Sequence, residues 1–119
     1  MSLIGHVVLV VEDEYYLADD VAVALNRLGA TVIGPVPTVA EARERLARAD
    51  RIDLAVLDIN LQGEAIYPFA DDLSDRGIRF VFATGYDTAV LPERFRDTPR
   101  WQKPFDPQGL AAALAEPPR

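Results

Sequence analysis

The stretch LAVLDINLQGE, residues 54–64, determines how the rest of the sequence is interpreted. Four apolar residues lead directly to Asp58, and a turn glycine follows at Gly63. A continuous apolar run bounded by turn residues is typical of a strand that is buried on both faces. A carboxylate at the end of such a strand costs free energy unless a cation or a hydrogen-bond donor pairs with it. We therefore expect a partner for Asp58 elsewhere in the chain.

Strands and helices alternate along the sequence. The apolar runs predict strands at 6–11, 30–36, 53–58, 79–84 and 100–102, and the amphipathic stretches predict helices at 14–29, 38–50, 64–77 and 106–116. This alternation is typical of an α/β fold, and we predict a five-stranded parallel sheet in the flavodoxin-like order 2-1-3-4-5 with helices on both faces. Pro92 and Pro99 follow the fourth strand, so a fourth helix is expected to be short or irregular there.

Length and composition narrow the class of protein. The 119 residues suffice for one domain, to which we assign the whole chain, 1–119. A net charge of −7 argues against direct binding of nucleic acid or an anionic membrane. There is no cysteine and His6 is the only histidine, which excludes disulfides, thiolate metal sites and multi-histidine metal sites. No apolar run is long enough to cross a membrane and no signal peptide is recognisable, so we expect a cytoplasmic protein.

Side chains that can carry chemistry collect at the carboxyl ends of the predicted strands. In chain order they are Glu12, Asp13, Glu14, Asp58, Thr84 and Lys103. In the predicted strand order these ends lie side by side at one edge of the sheet. Clustered carboxylates repel one another, and a hard divalent cation such as Mg²⁺ relieves that repulsion. A carboxylate beside such an ion can accept a phosphoryl group, with the ammonium and the hydroxyl stabilising the phosphoryl oxygens. We therefore predict Asp58 as the reacting group.

These residues resemble those of the receiver domains of two-component response regulators. The match comprises the acidic pair Glu12 and Asp13, the phosphoacceptor Asp58, the switch hydroxyl Thr84 and the Lys103–Pro104 dipeptide. VFATGY (81–86), together with LDINL and QKPF, is similar to the subclass named FATGUY after that string. No single element is specific, but the set spans essentially the whole chain.

The resemblance implies ligands and partners. Mg²⁺ would be bound by the carboxylates of Glu12, Asp13 and Asp58 and by the backbone carbonyl of Asn60. The phosphoryl donor would be a phosphohistidine on a sensor histidine kinase or a phosphotransfer protein, and the Lys103–Pro104 peptide bond would be cis. The output would be binding of an unidentified downstream protein, with a homodimer as one possible form. Such a protein accepts a phosphoryl group and hydrolyses it slowly but turns over no external substrate, so it is not classed as an enzyme.

One position departs from the family pattern. Most receivers carry Tyr or Phe three residues before the lysine, where it couples to the switch hydroxyl. Here that position is Arg100, and Trp101 follows it. The usual relay from Thr84 to an aromatic side chain is therefore not expected, and the segment 85–98 is the alternative candidate.

Other interpretations fit single features. Glu12–Glu14 could be acids at a helix N-terminus, and Asp58 could cap a turn. A phosphohydrolase of the haloacid dehalogenase type also uses an Asp nucleophile and Mg²⁺, but it requires an Asp-x-Asp pair on the first strand. A degenerate receiver that only binds partners would not need the complete set of site residues. A nucleotide cofactor would require a glycine-rich loop after the first strand, which this sequence lacks.

Overall fold

The computed structural model describes residues 2–85 and 91–116. In chain order the strands are β1 (Val7–Val11), β2 (Thr31–Val36), β3 (Leu54–Asp58), β4 (Asn60–Leu61), β5 (Glu64–Ala65), β6 (Arg79–Thr84) and β7 (Arg100–Gln102). The α-helices are α1 (Tyr15–Arg27), α2 (Val39–Arg48), α3 (Tyr67–Asp75) and α4 (Pro107–Ala115), and a 3₁₀ turn covers Glu93–Phe95. That turn agrees with the expected short or irregular fourth helix, although residues 86–90 of the segment lie outside the described residues.

The main sheet has five parallel strands in the order β2-β1-β3-β6-β7. This is the predicted order 2-1-3-4-5, because β4 and β5 pair only with each other in a separate antiparallel hairpin. All five residues of β3, the central strand, are buried. The prediction of a doubly covered parallel sheet is confirmed.

The strands bury alternate residues against two helical layers. One core cluster joins Leu9, Ala55, Leu57 and Phe82 of the sheet to the apolar faces of α2 and α3. The other joins Val8, Val10, Val56 and Val81 to α1 and α4. Because both faces are covered, only the ends of the strands leave polar side chains room to reach solvent. In the described residues, no helix has the length and apolar character that a membrane span requires.

The predicted helix starts are largely confirmed. The Thr38 hydroxyl accepts the Glu41 N–H at 3.1 Å and so caps the N-terminus of α2. Asp106 caps α4 by accepting the Gln108 N–H at 3.1 Å. Each cap satisfies a backbone donor that the first turn of a helix leaves unpaired.

The prediction for residues 64–66 is wrong. They were expected to open a helix over 64–77, but α3 begins at Tyr67, and Glu64–Ala65 form the second strand of the β4–β5 hairpin. Gln62 and Gly63 have φ angles of 53° and 88°, the left-handed conformations of a tight two-residue hairpin turn. The Ile66 N–H then bonds to the Ile59 carbonyl at 3.1 Å, so the chain leaves the turn extended.

The aromatic side chains divide between the surface and the core. Tyr15 and Tyr16 are 77% and 83% exposed because the first turn of α1 precedes the residues that face the sheet. Phe80 and Phe82 are buried. Together with Tyr67 and Phe95 they form an aromatic cluster beneath the 3₁₀ turn.

Phe82→Ala should strongly destabilise the fold. Phe82 is fully buried, and its ring centroid lies 5.4 Å from those of Phe80 and Phe95. Truncation leaves a cavity beside rings that cannot close it, and we expect a loss of about 3–5 kcal/mol in the free energy of unfolding, measured by urea denaturation. Tyr16→Ala, on the surface, should change it by no more than about 0.5 kcal/mol. A loss below about 1 kcal/mol for Phe82→Ala would contradict the packing described here.

Candidate functional site

The candidate site lies at the edge of the sheet where the parallel strands end. Parallel register sets Leu57 opposite Val11, and Asp58 opposite Ala83, so the residues that follow β1 meet the ends of β3 and β6. A cleft of about 420 Å³ opens at this edge, and its lining comprises Asp13, Glu14, Asp58, Asn60, Thr84, Gly85 and Lys103. The structure therefore brings together residues that are up to 90 positions apart in the chain.

Lys103 is the partner that the Asp58 carboxylate requires. Its Nζ lies 3.4 Å from Asp58 Oδ2 and 2.9 Å from Glu12 Oε1, and the side chains of Glu12 and Asp58 are only 3% and 6% exposed. Glu14 Oε1, at the mouth of the cleft, is 3.6 Å from the same nitrogen. Burial alone would lower the pKa of Lys103, but these three carboxylates raise it, so the ammonium stays charged.

The single Lys103 ammonium does not balance the negative charge of the carboxylates around it. Burial and the neighbouring Glu12 raise the pKa of Asp58 to about 8, and the opposing effects of Lys103 and the Asn60 N–H are smaller. The Asp58 carboxyl is therefore harder to ionise than an exposed aspartate. A further cation beside Asp58 would favour its ionised form, which is the nucleophilic one.

The acidic residues fit a divalent metal ion. Glu12, Asp13 and Asp58 each present a carboxylate oxygen, and these oxygens all lie within 4.8 Å of one another. Hard oxygen ligands clustered in this way suit Mg²⁺ or Ca²⁺. Asn60, whose backbone carbonyl is the fourth predicted ligand, also lines the cleft.

The remaining predicted residues occupy the same edge. Thr84 ends β6, is almost completely buried, and lines the cleft. The Lys103–Pro104 peptide bond is cis, as the resemblance implied. Arg100 starts β7 opposite Phe82, and its side chain is exposed, so no aromatic side chain occupies that position. Tyr86, the last residue of the VFATGY string, lies outside the described residues.

The sequence interpretation missed how Asn60 acts on Asp58. The Asn60 backbone N–H donates to Asp58 Oδ1 at 3.2 Å, while its side-chain oxygen accepts the Gly63 N–H at 3.0 Å. Asn60 therefore connects the phosphoacceptor candidate to the β4–β5 hairpin. The Asn-x-x-Gly spacing is the signal that could have revealed it.

The chain is similar in sequence and fold to proteins of known structure. No protein-family model matches the chain. The solution structure of SdrG from Sphingomonas melonis Fr1 is 45% identical, with 97% of each chain covered and a TM-score of 0.80. A response regulator protein from Burkholderia pseudomallei, solved with a phosphorylated aspartic acid, calcium ion and citrate, is 26% identical. The match covers 92% of this chain and 66% of that one, with a TM-score of 0.76.

A curated relative is similar over part of its length. The phyllosphere-induced regulator PhyR of Methylorubrum extorquens is 30% identical over 117 residues, which are 92% of this chain and 42% of the relative. The chain thus spans less than half of that regulator. The similarity therefore concerns only the matched part of PhyR.

Proposed function

Because the chain belongs to the receiver domains of response regulators, we propose that residues 1–119 form the phosphoacceptor unit of a two-component phosphorelay. The observation that carries the proposal is the buried Asp58 carboxylate, 3.4 Å from the Lys103 ammonium and grouped with two further carboxylates. A structural ion pair would not need the additional acids, which raise the electrostatic energy of the site.

The proposed reaction transfers a phosphoryl group to Asp58. A carboxylate oxygen forms a bond to phosphorus while the bond between phosphorus and the donor's imidazole nitrogen breaks, and the imidazole leaves with the electron pair and takes up a proton. The Asn60 N–H holds Asp58 Oδ1 in place. Lys103 and the Thr84 hydroxyl stabilise the negative charge on the phosphoryl oxygens.

Glu12, Asp13, Asp58 and the carbonyl of Asn60 would hold Mg²⁺. The ion would supply the positive charge that the site lacks and would neutralise part of the phosphoryl charge. Support for a metal comes from the donor set of three clustered carboxylates. The calcium ion and phosphorylated aspartic acid named for the Burkholderia protein belong to that protein and support the proposal by similarity.

Phosphoryl transfer to Asp58 requires a donor protein, and a switch requires a protein that responds to it. We propose that a sensor histidine kinase or a phosphotransfer protein supplies the phosphoryl group in the cytoplasm, and that the protein is a switch and not an enzyme with an external substrate. Phosphorylation shifts an existing conformational equilibrium, which changes the affinity for a downstream protein or for a second copy of this chain. Membership of the FATGUY subclass is part of the proposal.

The downstream partner should contact the face formed by residues 85–105, of which 86–90 lie outside the described residues. This face contains the 3₁₀ turn and β7, and Gln102 of β7 lies opposite Thr84 in the sheet. Phosphorylation is expected to shift backbone amide resonances in this face. Shifts confined to residues 19–45, on the far side of the sheet, would contradict the assignment.

The proposal is tested by incubating the protein with acetyl phosphate, with Mg²⁺ or with EDTA, and measuring the intact mass. We expect the mass of one phosphoryl group to be added only with Mg²⁺, in a linkage that is stable to acid and labile to base. Protease digestion should place it on the peptide containing residues 54–64. No Mg²⁺-dependent gain, or a gain on another peptide, would overturn the proposal.

A further inference from the structure

The β4–β5 hairpin follows Asp58 directly. After the single residue Ile59 the chain enters β4, turns at Gln62 and Gly63, and returns through β5. The hairpin is anchored on its inner side by Leu61 and Ile66, which are both buried. It therefore has a fixed position relative to the end of β3.

Asn60 makes two hydrogen bonds that link this hairpin to the carboxylate. Its side-chain oxygen accepts the Gly63 N–H at 3.0 Å and so closes the turn from within. Its backbone N–H donates to Asp58 Oδ1 at 3.2 Å, while Oδ2 lies 3.4 Å from the Lys103 ammonium. The two oxygens of the carboxylate are thereby held by different partners, which sets its orientation.

We infer that the Asn60 side chain is a positioning residue that acts on Asp58 through Gly63. The bond to Gly63 closes the hairpin, the closed hairpin fixes the Asn60 backbone, and the Asn60 N–H then orients the nucleophile. Small errors in the position of a reacting group lower rates strongly, so this bond matters although it touches no reacting atom. The inference rests on the proposed phosphoacceptor function of Asp58.

The competing explanation is a direct role, because Asn60 lines the cleft and its amide can reach a bound group there. Gly63 separates the two explanations. It does not line the cleft, and a Cβ at this position meets nothing within 4 Å. Its φ of 88° is nevertheless unfavourable for alanine, so Gly63→Ala strains the turn without adding a contact.

The test is a double-mutant cycle of Asn60→Ala and Gly63→Ala with two measurements. The first is the rate at which acetyl phosphate phosphorylates Asp58 in the presence of Mg²⁺. The second is the hydrogen exchange rate of the backbone N–H at position 60. Each single variant is expected to lower the labelling rate about tenfold and to raise the exchange rate about tenfold, and the double variant should add little to either effect. Asn60→Ser, which keeps a hydroxyl acceptor, should recover part of both.

Gly77→Ala is the matched control. Gly77 has a φ of 72°, and a Cβ there also meets nothing within 4 Å, but it follows α3 at the opposite edge of the sheet. This variant should leave both measurements at the wild-type values. A wild-type exchange rate in Gly63→Ala, or additive effects in the double variant, would overturn the inference. Absence of labelling in the wild-type protein would instead overturn the proposed function, and the exchange rates would still decide the role of the hairpin.

Discussion

Asp58→Asn is expected to accept no phosphoryl group from acetyl phosphate at any Mg²⁺ concentration. An amide cannot form the acyl phosphate. Glu12 also has the Lys103 ammonium and a backbone N–H, that of Glu14, on its two oxygens, but it does not line the cleft. Intact mass after prolonged incubation measures the effect. Labelling of the variant at more than about a hundredth of the wild-type rate would mean that another residue is the phosphoacceptor.

The same substitution should alter the pH dependence of stability. The pKa of Asp58 is raised from 3.8 to about 8, so between these values the folded state holds a proton that the unfolded state releases. Wild-type stability therefore falls as the pH rises through this window when Mg²⁺ is absent. Asp58→Asn removes the titrating group and should be more stable than the wild type at pH 7, by roughly 1–4 kcal/mol in urea denaturation with EDTA.

Asp53→Asn is the control for both measurements. Asp53 lies at the other end of the same strand, where its Oδ2 accepts the Val7 N–H at 2.7 Å. Burial raises its pKa, but this bond and the Arg51 guanidinium outweigh burial and lower it. Its contribution to stability is therefore present above the unfolded pKa and is lost as the pH falls. The variant should be labelled at the wild-type rate and should be less stable than the wild type at pH 7.

The position of the site could be predicted from the sequence because parallel strands leave little freedom. Once β1, β3, β6 and β7 are recognised as parallel strands of one sheet, the last residue of each strand and the residues directly after it have to lie at the same edge. Glu12, Asp13, Asp58, Thr84 and Lys103 follow from that rule alone. Neighbouring strands of a sheet have a fixed spacing, so the closeness of these side chains follows from the strand order.

The hairpin could not be predicted in the same way. Its turn depends on a left-handed Gln62, a residue that carries no sequence signal for that conformation, and on the burial of Leu61 and Ile66 in the finished core. Local pattern favoured a helix beginning at Glu64, and tertiary packing overrode that preference. The Asn-x-x-Gly spacing indicates that the Asn60 side chain can close a turn, but the bond from its N–H to Asp58 also depends on the hairpin.

Lys103→Met is expected to lower the labelling rate by about 10²–10³-fold while strengthening Mg²⁺ binding. Methionine keeps most of the length of the side chain but removes the charge that would stabilise the phosphoryl oxygens, and loss of one such group typically has an effect of this size. Lys103 also competes for the metal, because its Nζ lies against oxygens of Glu12 and Asp58 that belong to the proposed ligand set. Titration of Trp101 fluorescence with Mg²⁺ measures the affinity, and intact mass measures the rate.

The opposite signs of these two effects distinguish the proposed role from simple damage to the fold. A variant that disrupts the cleft loses both labelling and metal binding, whereas Lys103→Met should lose the first and improve the second. Arg94→Met is the matched control, because it removes one cation that pairs with Asp71 away from the cleft, and it should change neither measurement. Weaker Mg²⁺ binding in Lys103→Met would show that the ammonium and the metal ion do not share the carboxylates. Lys103 would then be a structural partner of Asp58, and the charge on the phosphoryl group would have to be stabilised by other residues.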